Sequence, residues 1–129
     1  MQNATWMTFI GRNTLEPLEL ARTIVDSLTA QVAADILLMD LTEVTLIADY
    51  FVIATGESDR QLRAMSRNLQ EQLKEEQRLA PISVEGTAAA GWVLLDYGSV
   101  VVHLFSPRQR ERYQLEEFWS NARTIVRIA

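Results

Sequence analysis

The sequence predicts a single α/β domain, a mixed five-stranded sheet with helices packed on it. A chain of 129 residues with 48% hydrophobic residues can bury one core and is too short for two. Stretches with apolar residues at helical spacing alternate with short β-branched runs, the pattern of helices laid on a sheet. The clearest sheet signal lies between Trp92 and Phe105. There Trp92–Leu95 and Val100–Phe105 flank Asp96-Tyr97-Gly98-Ser99, and a glycine inside such a turn supplies the positive φ that a tight hairpin needs.

Taken in order, residues 1–16 read as a loose N-terminal arm, with Trp6, Met7, Phe9 and Ile10 set among small polar residues without a sustained period. Thr14-Leu15-Glu16-Pro17 has the form of a helix start, and Leu18, Ala21, Val25, Leu28 and Val32 continue it as an amphipathic first helix. Ala34–Asp40 is the first strand, Leu41–Ala48 a connection and Tyr50–Thr55 a second, nearly all-apolar strand. Ser58-Asp59-Arg60-Gln61 has capping-box spacing and opens a long helix with Leu62, Met65, Leu69 and Leu73 on one face. Its other face, with Gln70, Glu71, Lys74, Glu75 and Glu76, reads as solvated. Pro81–Glu85 is a short third strand, so Tyr50 to Val84 forms a right-handed crossover between parallel strands. In VVVHLF, residues 100–105, both alternating faces are apolar except at His103, as a covered central strand requires. Ser106 then caps, and Pro107 opens, a short last helix. The domain spans 17–122, and residues 123–129 read as a C-terminal tail.

Composition narrows the function. The formal charge of −5 and a pI of about 4.8 argue against a primary nucleic-acid binder, which needs a basic footprint, and favour a basic partner. With no cysteine, disulfides and thiolate metal sites are excluded. The first twenty residues lack a charged n-region and a long apolar h-region, and no apolar run approaches a membrane span of about 18 residues. These features predict a cytoplasmic protein with no membrane association.

A few residues stand out as candidates for a site. Trp92 opens a strand directly after the small residues Ala88 to Gly91, where a large ring stays partly exposed and can anchor a partner. Asp96 enters the turn, where aspartate bonds its own backbone or meets a cationic group. His103 is the one histidine, so no paired-histidine metal site or dyad can form. It reads first as a hydrogen-bonded structural residue and second as the edge of a binding surface. Arg108, Arg110 and Arg112 cluster beside Glu111, Glu116 and Glu117, the mixed pattern of a solvated helix, with Arg110 also suited to an acidic or RNA oxygen. Tyr113, Leu115, Phe118 and Trp119 form the docking face of the last helix, of which Tyr113 is the member best placed for a partner. The candidate partner-binding set is therefore Trp92, Asp96, Tyr97, His103, Arg110 and Tyr113.

Several ordered motifs carry a family resemblance: Glu85-Gly86, then GWVLLDYG (91–98), VVVHLF, Arg110, and Tyr113-x-Leu115-Glu116-x-x-Trp119. Upstream, DYFVIATG (49–56) is followed by Ser58 and Arg60. From Leu18 to Asn121 the sequence resembles the iojap family, the ribosomal silencing factors (RsfS). Ser99 departs from it, standing where an acidic residue is common after the hairpin glycine. The resemblance implies an architecture related to the nucleotidyltransferase fold. It also implies a protein that binds the large ribosomal subunit through its protein L-fourteen and keeps the small subunit from joining, thereby repressing translation. The implied partners are then the large subunit, with a peripheral ribosomal RNA contact and a homodimer as further options, and no cofactor.

The rival reading is a nucleotide-binding or nucleotidyl-transferring enzyme on the related fold. That chemistry needs a Gly-Ser phosphate element and two carboxylates at i and i+2 on one strand face to hold divalent metal. The chain offers Gly56-Glu57-Ser58 but no D-x-D or D-x-E. Its acidic pair at that spacing, Glu57 and Asp59, straddles a helix start, where carboxylates favour the helix dipole without metal. A third reading is a homodimeric scaffold with no ribosomal role. The residues alone predict a soluble, acidic, single-domain α/β protein without an evident active site; the resemblance implies a non-enzymatic binding module.

Overall fold

The computed structural model describes residues 15–129; the greater part of the N-terminal arm lies outside the described residues. The elements follow as α1 (Pro17–Ala30), β1 (Ala34–Asp40), β2 (Tyr50–Thr55), α2 (Asp59–Gln77), β3 (Ser83–Thr87), β4 (Trp92–Asp96), β5 (Val100–Phe105), α3 (Pro107–Tyr113), α4 (Leu115–Phe118) and β6 (Arg123–Ile128). The helix starts obey local rules. Pro17 occupies the first turn of α1, Ser58 Oγ accepts the Gln61 N–H at 3.1 Å to cap α2, and Ser106 Oγ accepts the Gln109 N–H at 3.2 Å before Pro107. The capping at α2 is not fully reciprocal: the Gln61 side chain accepts from Glu57 N, at 2.7 Å, instead of from Ser58.

One mixed sheet runs β3-β4-β5-β2-β1-β6, with six strands rather than the five expected. The additional strand is β6, so residues 123–128 are not a tail. They pair antiparallel with β1, Ile36 opposite Ile128 and Leu38 opposite Val126, and Arg123 reaches Asp40 Oδ2 at 3.0 Å. Ile125, Val126 and Ile128 bury only part of their area, as suits an edge strand with one covered face. The third strand also sits two residues later than expected, because Pro81 has no N–H to give to a ladder. It runs in the same direction as β2 but is separated from it by β5 and β4, so the crossover through α2 spans two intervening strands.

The two faces of the sheet are covered differently. On one, α1 and α2 bury Leu20, Ile24, Leu28, Leu62, Met65, Leu69 and Leu73 against Leu38, Val52, Leu95, Val100, Val102 and Leu104. On the other, Leu37, Met39, Phe51, Ile53, Val101 and Phe105 are covered by the 41–48 connection and by Leu115, Trp119 and Ala122 around α4. This second cover is built of loop and short helix, and it leaves the β3–β4 end of the face open.

The hairpin turn takes the form expected of it. Asp96 Oδ1 accepts the Gly98 N–H at 2.7 Å, and Gly98 has φ of +88°. A Cβ there would touch only Ile82, so the penalty of a larger residue is backbone strain. Gly98→Val is expected to cost about 1–3 kcal/mol in urea unfolding; an unchanged midpoint would refute the strained turn.

Candidate partner-binding face

The open end of the loop-covered face is built from strand alternation. Trp92, Leu94 and Asp96 project from β4 to this side, and their cross-strand partners on β5 are Phe105, His103 and Val101. On the other flank, Glu85 of β3 stands opposite Leu94. The Trp92 ring is half-buried and lies against Phe105 and Tyr113, with ring centroids 4.8 and 4.6 Å away. Tyr113, 47% exposed, is the outer member of this cluster.

His103 holds the cluster from behind. Its Nδ1 accepts the Trp92 indole N–H at 3.3 Å, which places the imidazole proton on Nε2. Phe51 meets the His103 ring edge-on at 4.7 Å and meets Trp119 at 5.9 Å. His103 is 4% exposed and its Nε2 has no partner, and burial lowers its pKa to about 4, so the ring is neutral near pH 7. A neutral, caged histidine orients Trp92 and has no second group with which to share a proton.

The remaining candidates divide. Asp96 lies on the same face, four residues along β4 from Trp92, and its carboxylate already bonds the turn. Tyr97 points the other way, into the helix-covered core, 6% exposed; its hydroxyl is buried without a partner, and burial pushes its pKa to about 12. Arg110 is not a free cation. It is 9% exposed, donates to Thr55 Oγ1 at 2.8 Å and pairs with Glu116 at 3.1 Å, tying α3 to the end of β2 and to α4. Sequence reasoning missed Leu94 and Glu85 as members of the face. The signal was available, since Leu94 is two residues from Trp92 and therefore shares its side.

Charge around these aromatics is mixed: Glu85 and Asp96 flank the row, while the exposed Arg112 guanidinium lies 5.7 Å from the centre of the Tyr113 ring. A cavity of about 330 Å³ beside α3 is lined by Asp35, Glu57, Glu111, Glu116 and Glu117 with the paired Arg110 among them. Among the described residues no group of three or more His, Cys, Asp or Glu is arranged to hold a metal ion, and no helix is long and apolar enough to cross a membrane.

The class the structure defines is a single-domain α/β protein built on one mixed sheet, with a partly exposed aromatic row at one end. Residues 14–128 match the family described as "Ribosomal silencing factor during starvation", and the chain belongs to this ribosomal silencing factor (RsfS) family. The family is one of ribosome-associated silencers of translation, a regulatory family and not an enzyme family. "Ribosomal silencing factor RsfS" of Bacillus subtilis is 42% identical over 90 residues, covering 70% of this chain and 75% of that protein. "Mitochondrial assembly of ribosomal large subunit protein 1" of Mus musculus is 37% identical over 75% of this chain and 43% of its own length. A crystal structure of a protein from Chromobacterium violaceum, 32% identical, superposes with a TM-score of 0.77 over 82% of this chain and 88% of that one.

Proposed function

We propose that the chain binds the large ribosomal subunit through its protein L-fourteen, on the side that meets the small subunit, and represses translation by blocking subunit joining. The observation that carries this reading is the partly exposed row Trp92, Leu94 and Asp96, with Tyr113 packed at a tilt against Trp92 and Glu85 across the strand. Ribosomal proteins are commonly basic, and aromatic rings flanked by Glu85 and Asp96 in a chain of net charge −5 suit such a partner in both encounter and burial. The family and the mouse relative's name support a large-subunit partner. Trp92, Asp96 and Tyr113 make the contact, His103 positions Trp92, and Tyr97 and Arg110 hold the surface from behind. Exposed Arg108 and Arg112 take any peripheral contact with ribosomal RNA, and the protein acts in the cytoplasm without catalysis.

A central aromatic of this kind is worth about 2 kcal/mol or more on truncation, so Trp92→Ala should weaken large-subunit binding roughly 30-fold. Cosedimentation with large subunits on sucrose gradients, together with a subunit-joining assay, measures it. If Trp92→Ala and Asp96→Ala both fold by circular dichroism and still block joining at wild-type concentrations, this surface is not the partner site.

A further inference from the structure

On the helix-covered side, the β3 end of the sheet is unfinished. α1 lies over β1 and β2, and α2 over β4 and β5. Beyond α2, toward the free edge at β3, runs a groove of about 570 Å³. Its floor is apolar: Val84, Val93, Ala88 and Pro81. Val84 stands opposite Leu95, whose side chain belongs to the helix-side core, yet Val84 is 48% exposed. At about 4.8 Å per strand, the strip left by α2 over β3 and the flank of β4 is close to the ~10 Å width of one helix.

The wall of the groove is cationic in an otherwise acidic chain. Arg60, Arg63, Arg67 and Lys74 fall within about 60° around the axis of α2 at 100° per residue. All four are exposed and none forms an ion pair among the described residues. Arg63, Arg67 and Lys74 line the groove, against a single carboxylate there, Glu71.

We infer that this groove docks an acidic amphipathic helix of a second protein, laid on β3 beside α2 with its apolar stripe on Val84 and Val93 and its carboxylates toward Arg63, Arg67 and Lys74. Nucleic acid fits less well. The groove offers no aromatic ring for base stacking, its floor is aliphatic, and the chain as a whole carries a charge of −5 that repels phosphate. The groove and the Trp92 face lie on opposite sides of the sheet, so both can be occupied at once. The chain would then join two partners, and the inference stands apart from the ribosomal reading.

The probe is a fluorescein-labelled 18-residue helical peptide with leucines at i, i+3, i+4 and i+7 spacing and glutamates along one flank, titrated with the full chain by fluorescence anisotropy. A matching peptide with lysines for glutamates, and a single-stranded RNA decamer, are titrated alongside. The glutamate peptide is expected to bind saturably, at least about tenfold tighter than either control. Arg63→Glu with Arg67→Glu, exposed substitutions that leave the core intact, should weaken it about tenfold, as should Val84→Asp, while Trp92→Ala leaves it unchanged. Absence of saturable binding overturns the inference. So does binding indifferent to Arg63→Glu with Arg67→Glu, or RNA bound as tightly as the peptide.

Discussion

Gly86→Ala should lower the stability of the domain by about 3–5 kcal/mol and its melting temperature by on the order of 10–20 °C. Gly86 has φ of +80°, which an alanine tolerates poorly, and an added Cβ would overlap the Trp92 carbonyl oxygen. The atom in the way is backbone, so no rotamer change relieves it. β3 must separate from β4 or the Gly86-Val93 and Thr87-Trp92 pairings must shift. The damage therefore falls on the strand that presents Trp92, and partner binding should decline with stability. Thermal unfolding by circular dichroism settles the matter: a loss below about 1 kcal/mol would mean that β3 and β4 are not in this register.

Acidification should destabilise the protein through His103 by about 2–3 kcal/mol between pH 7 and pH 4.5. The sign follows from linkage. Burial lowers the histidine pKa from its ordinary 6.5 to about 4 in the fold, so between those values the unfolded chain binds the proton and the native one does not. The contribution is fully present above pH 6.5, falls as pH drops through that window and levels off below pH 4. Protonation would also put a proton on Nδ1, where the Trp92 indole now donates, so the penalty has two sources, desolvation and a lost hydrogen bond. His103→Asn keeps an acceptor near the Nδ1 position and cannot be protonated in this range. Urea midpoints of the wild type should fall across pH 6.5 to 4.5, and those of His103→Asn should remain nearly flat. Parallel profiles would show that His103 titrates normally.

Local chemistry was readable from residues close together in the chain. The capping serines Ser58 and Ser106, Pro17 and Pro107 at helix starts, and the Asp96–Gly98 turn each depend on neighbours within a few positions, and all stand where the sequence put them. The buried stripe Leu62, Met65, Leu69 and Leu73 likewise follows from the period of one helix. β6 was missed for the opposite reason. Arg123–Ile128 is short, carries two arginines and buries little area, and its identity as a strand comes from pairing with β1, far earlier in the chain.

The sequence by itself determined the fold class, the family motifs, the acidic balance and the candidates Trp92, Asp96 and Tyr113, because composition and period are properties of the chain alone. Only the tertiary structure decided what each candidate faces. Asp96 and Tyr97 are adjacent, yet one lies on the open face and the other in the helix-side core. Arg110, one of a mixed-charge, solvated cluster by sequence, is enclosed by Thr55 and Glu116, and His103 is neutral because Phe51, Trp92 and Phe105 exclude water from it. Exposure, pairing and charge state are set by partners brought from distant positions, and such long-range contacts leave no local period to read.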